Sequence, residues 1–348
     1  MAAKKQPDGA QKLKDDLKNN TIGQLYLIGG EEAYLKQYYL KELTAQTVDE
    51  AFRDFNYDEF EGNRVTLDQL TTAIESYPAM AERRMVVVKD FDVFKPAAVW
   101  KEPLAEIIAD LPEYICLVFY YDTMEFKPDK RTKLYSQINK IGCIADFSEL
   151  APHDLIPWVR RRVRALGKDI SNETCDYLLF LCGTSMTNLI TEIEKACAHC
   201  AADEVKRVNI DAVCSKVLDA VVFDLTDAIA DRRFDRAMIL VNDLIAQKNE
   251  PIVLLSTVSR HLQRLYLSKL ASQERGGEQE LMELLGTKST YYVRKMMDAA
   301  RRMDLNWLRS AVLYCGEADM AMKTAGADRQ KVLELLLLRM SAGIGAVS

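Results

Sequence analysis

Apolar and polar positions follow different periods in three regions of the chain. Up to about residue 147, short apolar runs are spaced by segments with helical periodicity. The predicted strands cover Leu25–Ile28, Phe52–Phe60, Met85–Val88 and Ile115–Tyr120, and the predicted helices cover Glu32–Val48, Thr66–Ser76 and Ala98–Ala109. Apolar strands separated by helices predict an α/β domain over residues 1–150, with a mostly parallel sheet that is covered on both faces.

From about Ala151 the periodicity becomes helical. Pro152 and Pro157 mark the entry to this region, and Ser171 and Thr187 are candidate helix N-caps. The predicted helices cover Leu155–Leu166, Asn172–Cys182, Asn188–Ala201 and Ile210–Cys214. They predict a small helical domain over residues 151–215.

From about Lys216 the third region is helical throughout. The predicted helices cover Phe223–Arg232, Phe234–Gln247 and Pro251–Leu270, followed by a polar break at Gly276–Gly277 and further helices to Met340. Proline is tolerated in the first turn of a helix, where Pro251 lies. A bundle of four to six helices is predicted over residues 216–348.

Composition places the chain among ordinary globular proteins of two or three domains. With 348 residues and 49% hydrophobic positions, it exceeds what one core usually supports. The first twenty residues have no apolar core and the run Leu335–Leu338 is too short to span a bilayer, so we expect a cytoplasmic protein without a membrane partner. Eight scattered cysteines indicate reduced thiols. A net charge of −6 argues against a stand-alone nucleic-acid coat but permits a local basic patch.

The turn after the first strand lies where a phosphate-binding loop would begin. Gly29 and Gly30 lead into the second predicted element, but a Walker A loop also needs a second glycine, a lysine and a hydroxyl residue. Counted from Gly30, these places hold Leu35, Lys36 and Gln37. Glu31 and Glu32 add negative charge where a helix N-terminus would otherwise attract an anion. The chemistry of nucleotide binding is therefore missing, which favours a protein that binds partners.

The order of several segments resembles the delta subunits of the bacterial DNA polymerase III clamp loader, from roughly Leu25 to Met340. The resemblance is carried by LYLIGGEEAYL, FNYDEFEGN, YPAMAERRMVVVKDF, PWVRRRVRALG and the long helical stretch from FDLTDAIADRRF to LYLSKL. It implies an AAA+-like α/β domain, a helical lid domain and a helical collar domain. It also implies a hetero-pentamer with ATPase subunits and delta prime, acting on a sliding clamp and primer-template DNA.

The resemblance further implies that the chain does not hydrolyse ATP. Active clamp-loader ATPases end the third strand in Asp-Glu, whereas Val86–Val88 is followed by Lys89 and Asp90. The Ser-Arg-Cys sequence that supplies an arginine finger in sibling subunits is replaced by Cys214-Ser215-Lys216. We therefore predict no catalytic residue, no cofactor and no metal, and assign Gly29, Gly30, Lys36, Lys89 and Asp90 to a degenerate nucleotide site.

In this family the clamp-binding element is a pair of exposed apolar residues just before the third strand. The corresponding residues are Tyr77, Pro78, Ala79 and Met80. Many members present a leucine followed by phenylalanine, so Ala79 and Met80 depart from the pattern. Either Tyr77 and Pro78 share the anchoring, or the binding is weaker. The alternative is that Tyr77 and Met80 merely cover the core of their own domain.

Two basic segments are candidates for DNA contact. Arg160 and Arg161 lie in a run of four arginines, for which a solvated helix face is the commoner outcome. Tyr291, Tyr292, Arg294 and Lys295 combine rings with cations, which suits base stacking and backbone binding. Ordinary helix packing, with half-buried rings and outward cations, explains the same pattern.

Other constellations carry weaker signals. Cys197, His199 and Cys200 lack a second ligand pair at zinc-site spacing, and His153 and His261 lack the pattern of a hydrolase triad. The helices within Val222–Leu270 and Asp304–Met340 are candidates for oligomer contacts, because their apolar content exceeds the need of a solitary bundle. Two alternatives stay open: an active AAA+ ATPase acting on DNA, which would depend on Lys36, and a structural helical adaptor, which would not depend on Met80.

Overall fold

The computed structural model describes residues 9–273, 277–324 and 326–343. The chain divides into two compact units, one that ends at Glu149 and one that begins at Leu150. The predicted further division at residues 215 and 216 stays a prediction. In the predicted glycine break, Gly276 lies outside the described residues.

The first unit is built on one parallel sheet. Its strands are β1 Leu25–Gly29, β2 Tyr57–Glu61, β3 Arg84–Lys89, β4 Ile115–Tyr120 and β5 Cys143–Asp146. Its helices are α1 Gly9–Asn19, α2 Ala33–Thr47, α3 Arg53–Asn56, α4 Leu67–Glu75, α5 Lys101–Ala109 and α6 Lys133–Ile141, with 3-10 turns at Glu50–Phe52 and Ala98–Trp100. The strand order is β2-β3-β4-β1-β5, and every neighbouring pair is parallel. The predicted parallel α/β fold is confirmed.

Helices cover both faces of the sheet. Alternate residues of β1 point to opposite sides of the sheet, and all of them are buried because helices pack on both faces. Leu27 packs in the core that includes Ile108 of α5, whereas Ile28 packs in the core that includes Leu43 of α2. The near-continuous apolar strands that the sequence shows are thus the consequence of burial on two faces.

Four elements of the first unit differ from the sequence prediction. The predicted strand over Phe52–Phe60 begins only at Tyr57, because Asp49 caps a 3-10 turn by accepting from the Ala51 N–H and residues 53–56 are helical. Helices α1 and α6 were not predicted, and neither was strand β5. The latter has only four residues, which is too short for a clear periodic signal.

The second unit begins with helices and one short parallel strand pair. The helices are α7 Pro152–Ala165, α8 Asn172–Cys182, α9 Met186–His199 and α10 Arg207–Val213, and the strands are β6 Asp169–Ile170 and β7 Glu204–Val205. Ser171 caps α8 as predicted, because its hydroxyl accepts from the Thr174 N–H at 3.1 Å. The prediction of Thr187 as a cap is wrong. Ser185 fills that role and Thr187 lies inside α9.

The rest of the second unit is a helical bundle. Its helices are α11 Leu218–Ala230, α12 Phe234–Ala246, α13 Pro251–Gln273, α14 Glu278–Leu284, α15 Thr290–Arg301, α16 Leu305–Met322 and α17 Arg329–Gly343. Seven helices among the described residues exceed the predicted four to six, since the segment after the break forms the short α14 as well as α15. The indole N–H of Trp307 in α16 donates to the carbonyl of Met340 in α17 at 3.1 Å, so a buried polar bond ties the last two helices together.

Candidate functional site

Of the three Walker A places that follow Gly30, only Lys36 keeps the residue of the motif, and the protein itself binds its side chain. It lies buried on α2, and its Nζ donates to the carbonyls of Tyr121 at 2.7 Å and Asp122 at 3.2 Å. These carbonyls lie just past the end of β4. A buried ammonium is stable only with such partners. Lys36 therefore joins α2 to the end of β4 and is not directed at a phosphate.

The glycine turn itself is filled by neighbouring groups. A Cβ at Gly29 would lie 2.2 Å from Cγ of Phe126, so the ring of Phe126 packs directly on the turn. Gly30 has φ of +110°, and a Cβ there would lie 2.3 Å from the carbonyl oxygen of Phe147. Only glycine tolerates both constraints. Three residues connect β1 to α2, whereas a phosphate-binding loop needs a longer path around its anion.

Asp90, at the end of β3, caps the loop that follows β4. Its carboxylate accepts from the N–H groups of Asp122, Thr123 and Met124 at 2.8 to 3.1 Å and from the Thr123 hydroxyl at 2.6 Å. Burial alone would raise the pKa of Asp90, but these donors outweigh it and hold the pKa below its ordinary value. The preceding Lys89 pairs with Glu59 on the neighbouring strand. Both residues therefore have structural partners.

The segment from Tyr77 to Met80 lies in the loop between α4 and β3. Tyr77 is 81% exposed and Met80 is 85% exposed, and Ala79 is exposed as well. The ring of Tyr77 packs against that of Tyr114, with centroids 5.1 Å apart. These exposures contradict the alternative that Tyr77 and Met80 cover the core of their own domain. Large apolar side chains that face solvent together are typical of a binding surface.

The backbone of this loop is held from inside the protein. Asn56 is fully buried, and its side-chain amide both donates to the Ala79 carbonyl at 2.9 Å and accepts from the Ala79 N–H at 2.7 Å. The next residue, Met80, has φ of +52°, a conformation that non-glycine residues rarely adopt. A strained, exposed residue that the surrounding structure fixes is a common mark of a functional site.

Two residues beside this loop carried no signal in the sequence: Asn56, which holds the loop from inside, and its exposed neighbour Phe55. Phe55 is 64% exposed, and the guanidinium of Arg84 binds its carbonyl. Both lie within the segment that the sequence predicts as a strand, where an alternating pattern assigns no special role to either. A buried asparagine leaves no periodic signal, so this relationship follows only from the tertiary structure.

Two family models match parts of the chain. "DNA polymerase III, delta subunit" matches residues 26–148, and "DNA polymerase III delta subunit, C-terminal domain" matches residues 219–340. The chain belongs to the DNA polymerase III delta subunit family. It is 26% identical over 330 residues to DNA polymerase III subunit delta of Bacillus subtilis (strain 168), which covers 93% of this chain and 94% of that protein.

A second relative and one solved structure are also similar to the chain. The probable DNA polymerase III subunit delta of Aquifex aeolicus (strain VF5) is 21% identical over 322 residues, or 89% of each chain. The solved structure of the Bacillus subtilis DNA clamp loader delta protein matches 96% of this chain and 99% of its own, with a TM-score of 0.57 and 24% identity. This similarity shows a shared fold, a parallel α/β domain followed by helices.

The arginine run of this delta-family chain is largely paired within the second unit. Arg160 lies 3.7 Å from the Asp169 carboxylate and donates to the Asn172 side chain at 3.2 Å, and Arg162 binds Glu194 at 3.0 Å. Arg161 is exposed. The pairs fit the alternative of a solvated, ion-paired helix face. Contact of Arg160 and Arg161 with DNA stays a prediction.

The aromatic and basic residues of α15 also have partners in the same unit. The ring of Tyr291 packs against Phe180 with centroids 5.3 Å apart, and the Tyr292 hydroxyl accepts from Arg264 at 2.9 Å. Arg294 pairs with Glu278 at 2.9 Å, while the Lys295 ammonium lies 4.0 Å from Asp227. These contacts fit ordinary helix packing, and base stacking by the two tyrosines stays a prediction.

The second unit does not bring Cys197, His199 and Cys200 together as zinc ligands. Cys197 and Cys200 are buried while His199 is exposed, so the three do not converge. Among the described residues, one group brings three ligand atoms within 4.8 Å of one another: Cys182, Glu192 and Cys214. The Lys195 ammonium lies 2.7 Å from Glu192 and already supplies a positive charge there.

Several apolar side chains of the bundle face solvent. Those on α16 and α17 are Leu313, Met320, Leu335 and Leu338, each more than half exposed. Leu335 and Leu338 lie in the apolar run that the sequence analysis noted, and the other half of that run, Leu336 and Leu337, is buried in the bundle core. Among the described residues, no helix combines the length and the apolar character needed to cross a membrane.

Proposed function

We propose that this chain is a clamp-loader subunit that binds and opens the replicative sliding clamp and does not hydrolyse ATP. The clamp is bound through Tyr77, Pro78, Ala79 and Met80. Sibling ATPase subunits and delta prime complete a hetero-pentamer, which acts on primer-template DNA in the cytoplasm. The family membership supports the clamp-loader assignment, as does the fold shared with the Bacillus subtilis DNA clamp loader delta protein.

The observation that carries the proposal is the exposure of Tyr77 and Met80 on a loop of fixed conformation. Their side chains are 81% and 85% exposed, although both are large and apolar. The Asn56 amide binds the backbone between them, so the loop pays little conformational entropy when it docks. A preorganised apolar loop is suited to a pocket on a partner protein.

We expect the inserted loop to open the ring because its binding free energy stabilises one conformation of the clamp over another. Burial of one large apolar side chain contributes about 1.5 to 3 kcal/mol, so two anchors in a pocket suffice to dominate a small interface. If the pocket lies beside the joint between two clamp protomers, the inserted loop stabilises the clamp conformation in which that joint is weakened. A ligand shifts such an equilibrium by its difference in affinity for the two states.

The degenerate nucleotide site supports a subunit without ATPase activity. The ammonium of Lys36 binds two protein carbonyls, and the carboxylate of Asp90 binds three backbone N–H groups. Phosphoryl transfer needs the lysine on the phosphates and the acid on Mg²⁺. Both groups would have to give up these partners first. ATP bound by sibling subunits therefore drives the conformational change in the assembly.

The bundle is the proposed site of assembly. Exposed leucine and methionine side chains on α16 and α17 provide an apolar surface that a solitary bundle has no need to display. Helices within Val222–Leu270 and Asp304–Met340 are thus the proposed contacts with sibling subunits. Primer-template DNA is reached through this assembly, and Arg161 is an exposed cation of the arginine run that contacts it.

The test is binding of the purified chain to its sliding clamp without nucleotide. Tyr77→Ala and Met80→Ala should each weaken binding about tenfold or more, since each removes one anchor. Val99→Ala is the matched control, because Val99 is 68% exposed in the same unit and lies in a different segment. Clamp binding is read by surface plasmon resonance, and folding by thermal melting.

Three results would count against the proposal or a part of it. If the folded parent chain does not bind the clamp, the clamp assignment is wrong. Equal binding by the parent chain and the Tyr77→Ala/Met80→Ala double variant leaves clamp binding intact but removes this loop as its site. Binding that requires ATP would return the active-ATPase alternative to consideration.

A further inference from the structure

Phe55 presents a large ring to solvent at a fixed position. It is 64% exposed and belongs to the short helix α3, directly before β2. The guanidinium of Arg84 binds the Phe55 carbonyl and also the carboxylate of Asp58. Its backbone is therefore held from the neighbouring strand β3. An exposed aromatic side chain on a backbone of this kind loses little freedom when a partner covers it.

Phe55 lies beside the loop that carries Met80. The residue after Phe55 is Asn56, whose amide forms two hydrogen bonds with the backbone of Ala79, and the residue after Ala79 is Met80. These bonds bring the two chain segments side by side. In addition, β2 and β3 are paired in register, with Tyr57 opposite Met85, so both segments enter the sheet at the same end.

Three large apolar side chains thus share one end of the sheet: Phe55, Tyr77 and Met80. Each is more than 60% exposed. Apolar side chains scattered singly over a surface need no explanation, but a group fixed by a buried polar residue does. The shared end, together with the rigid connection through Asn56, points to one partner surface that covers all three.

Resting on the proposed function, we infer that Phe55 is a third apolar anchor for the sliding clamp, displayed beside Met80 by the Asn56–Ala79 hydrogen bonds. The partner surface it fits is an apolar patch next to the pocket that receives Met80. Asn56 is a positioning residue in this arrangement, since it is buried and contacts the clamp-binding loop through the protein interior.

The experiment compares clamp binding of the parent chain with Phe55→Ala and Val99→Ala. The clamp should cover most of the Phe55 ring, so Phe55→Ala should weaken binding about tenfold. Val99→Ala should stay within about twofold of the parent. Because Phe55 is exposed, Phe55→Ala should keep the parent's melting temperature. A photoreactive phenylalanine analogue at position 55 should crosslink to the clamp, and the same analogue at position 99 should not.

The outcomes separate this inference from the function on which it rests. If the parent chain binds the clamp while Phe55→Ala binds equally well, or if position 55 fails to crosslink within the complex, the third anchor is wrong and the proposed function stands. If the folded parent chain does not bind, the clamp assignment itself fails and the anchor fails with it. Weakened binding together with a crosslink at position 55 supports the anchor.

Discussion

The side-chain amide of Asn56 forms two hydrogen bonds with the backbone of Ala79, one as donor at 2.9 Å and one as acceptor at 2.7 Å. The two residues are 23 positions apart, and Asn56 is fully buried. A side-chain amide that binds both groups of one peptide residue replaces a strand partner. The two hydrogen bonds hold the exposed loop in place as a neighbouring strand would, although no strand is present there.

Asn56→Ala should therefore weaken clamp binding and also lower stability. The variant leaves the N–H and carbonyl of Ala79 without these partners, which costs about 1 to 3 kcal/mol of unfolding free energy. The loop also loses the support for the positive φ of Met80. Urea denaturation measures the first effect, and surface plasmon resonance against the clamp measures the second. Undiminished clamp affinity in a folded Asn56→Ala chain would contradict the role of Asn56 in positioning the loop.

Lys36→Ala should reduce stability without any effect on nucleotide chemistry. The buried ammonium supports the carbonyls of Tyr121 and Asp122, and the variant should lose about 1 to 3 kcal/mol of unfolding free energy. Lys41→Ala, at an exposed position of the same helix, is the control and should change stability by less than about 0.5 kcal/mol.

The same pair of variants distinguishes the structural lysine from a nucleotide-binding one. ATP with Mg²⁺ should leave the melting temperature of the parent chain unchanged, because a ligand raises it only by binding the folded state. A nucleotide-dependent rise in the parent chain that disappears in Lys36→Ala is the result that the active-ATPase alternative requires.

His261 should make the second unit less stable as the pH falls. Its ring packs on Phe223 with centroids 4.1 Å apart, and Nε2 finds no hydrogen-bond partner within the described part of the chain. Burial, and to a smaller extent the nearby cations Arg264, Lys295 and Arg260, lower the pKa of His261 to about 3. The imidazole of His261 therefore stays neutral in the folded state at pH values below about 6.5, at which it binds a proton in the unfolded state.

The contribution of His261 is therefore complete above about pH 6.5 and is lost as the pH falls toward 3. The slope is about 1.4 kcal/mol per pH unit, or about 2 kcal/mol between pH 6.5 and 5. His261→Leu should flatten the pH dependence of the unfolding free energy by this amount. Equal slopes for the parent and His261→Leu would show that His261 titrates alike in both states.

The strands of the first unit were predictable where burial on both faces leaves an unbroken apolar run. Val86 to Val88 is such a run, and so is Ile115 to Tyr120. The prediction was wrong at residues 53–56, because the alternation of polar and apolar residues there serves a helical turn that places Asn56 inward. Strand β5 was missed because four residues carry too little pattern to stand out from a loop.

The sequence by itself determined that this chain has an α/β region followed by helices and that its nucleotide motif is incomplete. Both properties are local, since they depend on periodicity and on which residues follow a glycine turn. Only the tertiary structure decided that Lys36 and Asp90 have taken structural partners and that Tyr77 and Met80 face solvent. It also decided that Asn56 holds the backbone of their loop and that Phe55 is exposed beside it. Contacts between residues far apart in the chain depend on which side chains the fold brings together, and no local pattern records that.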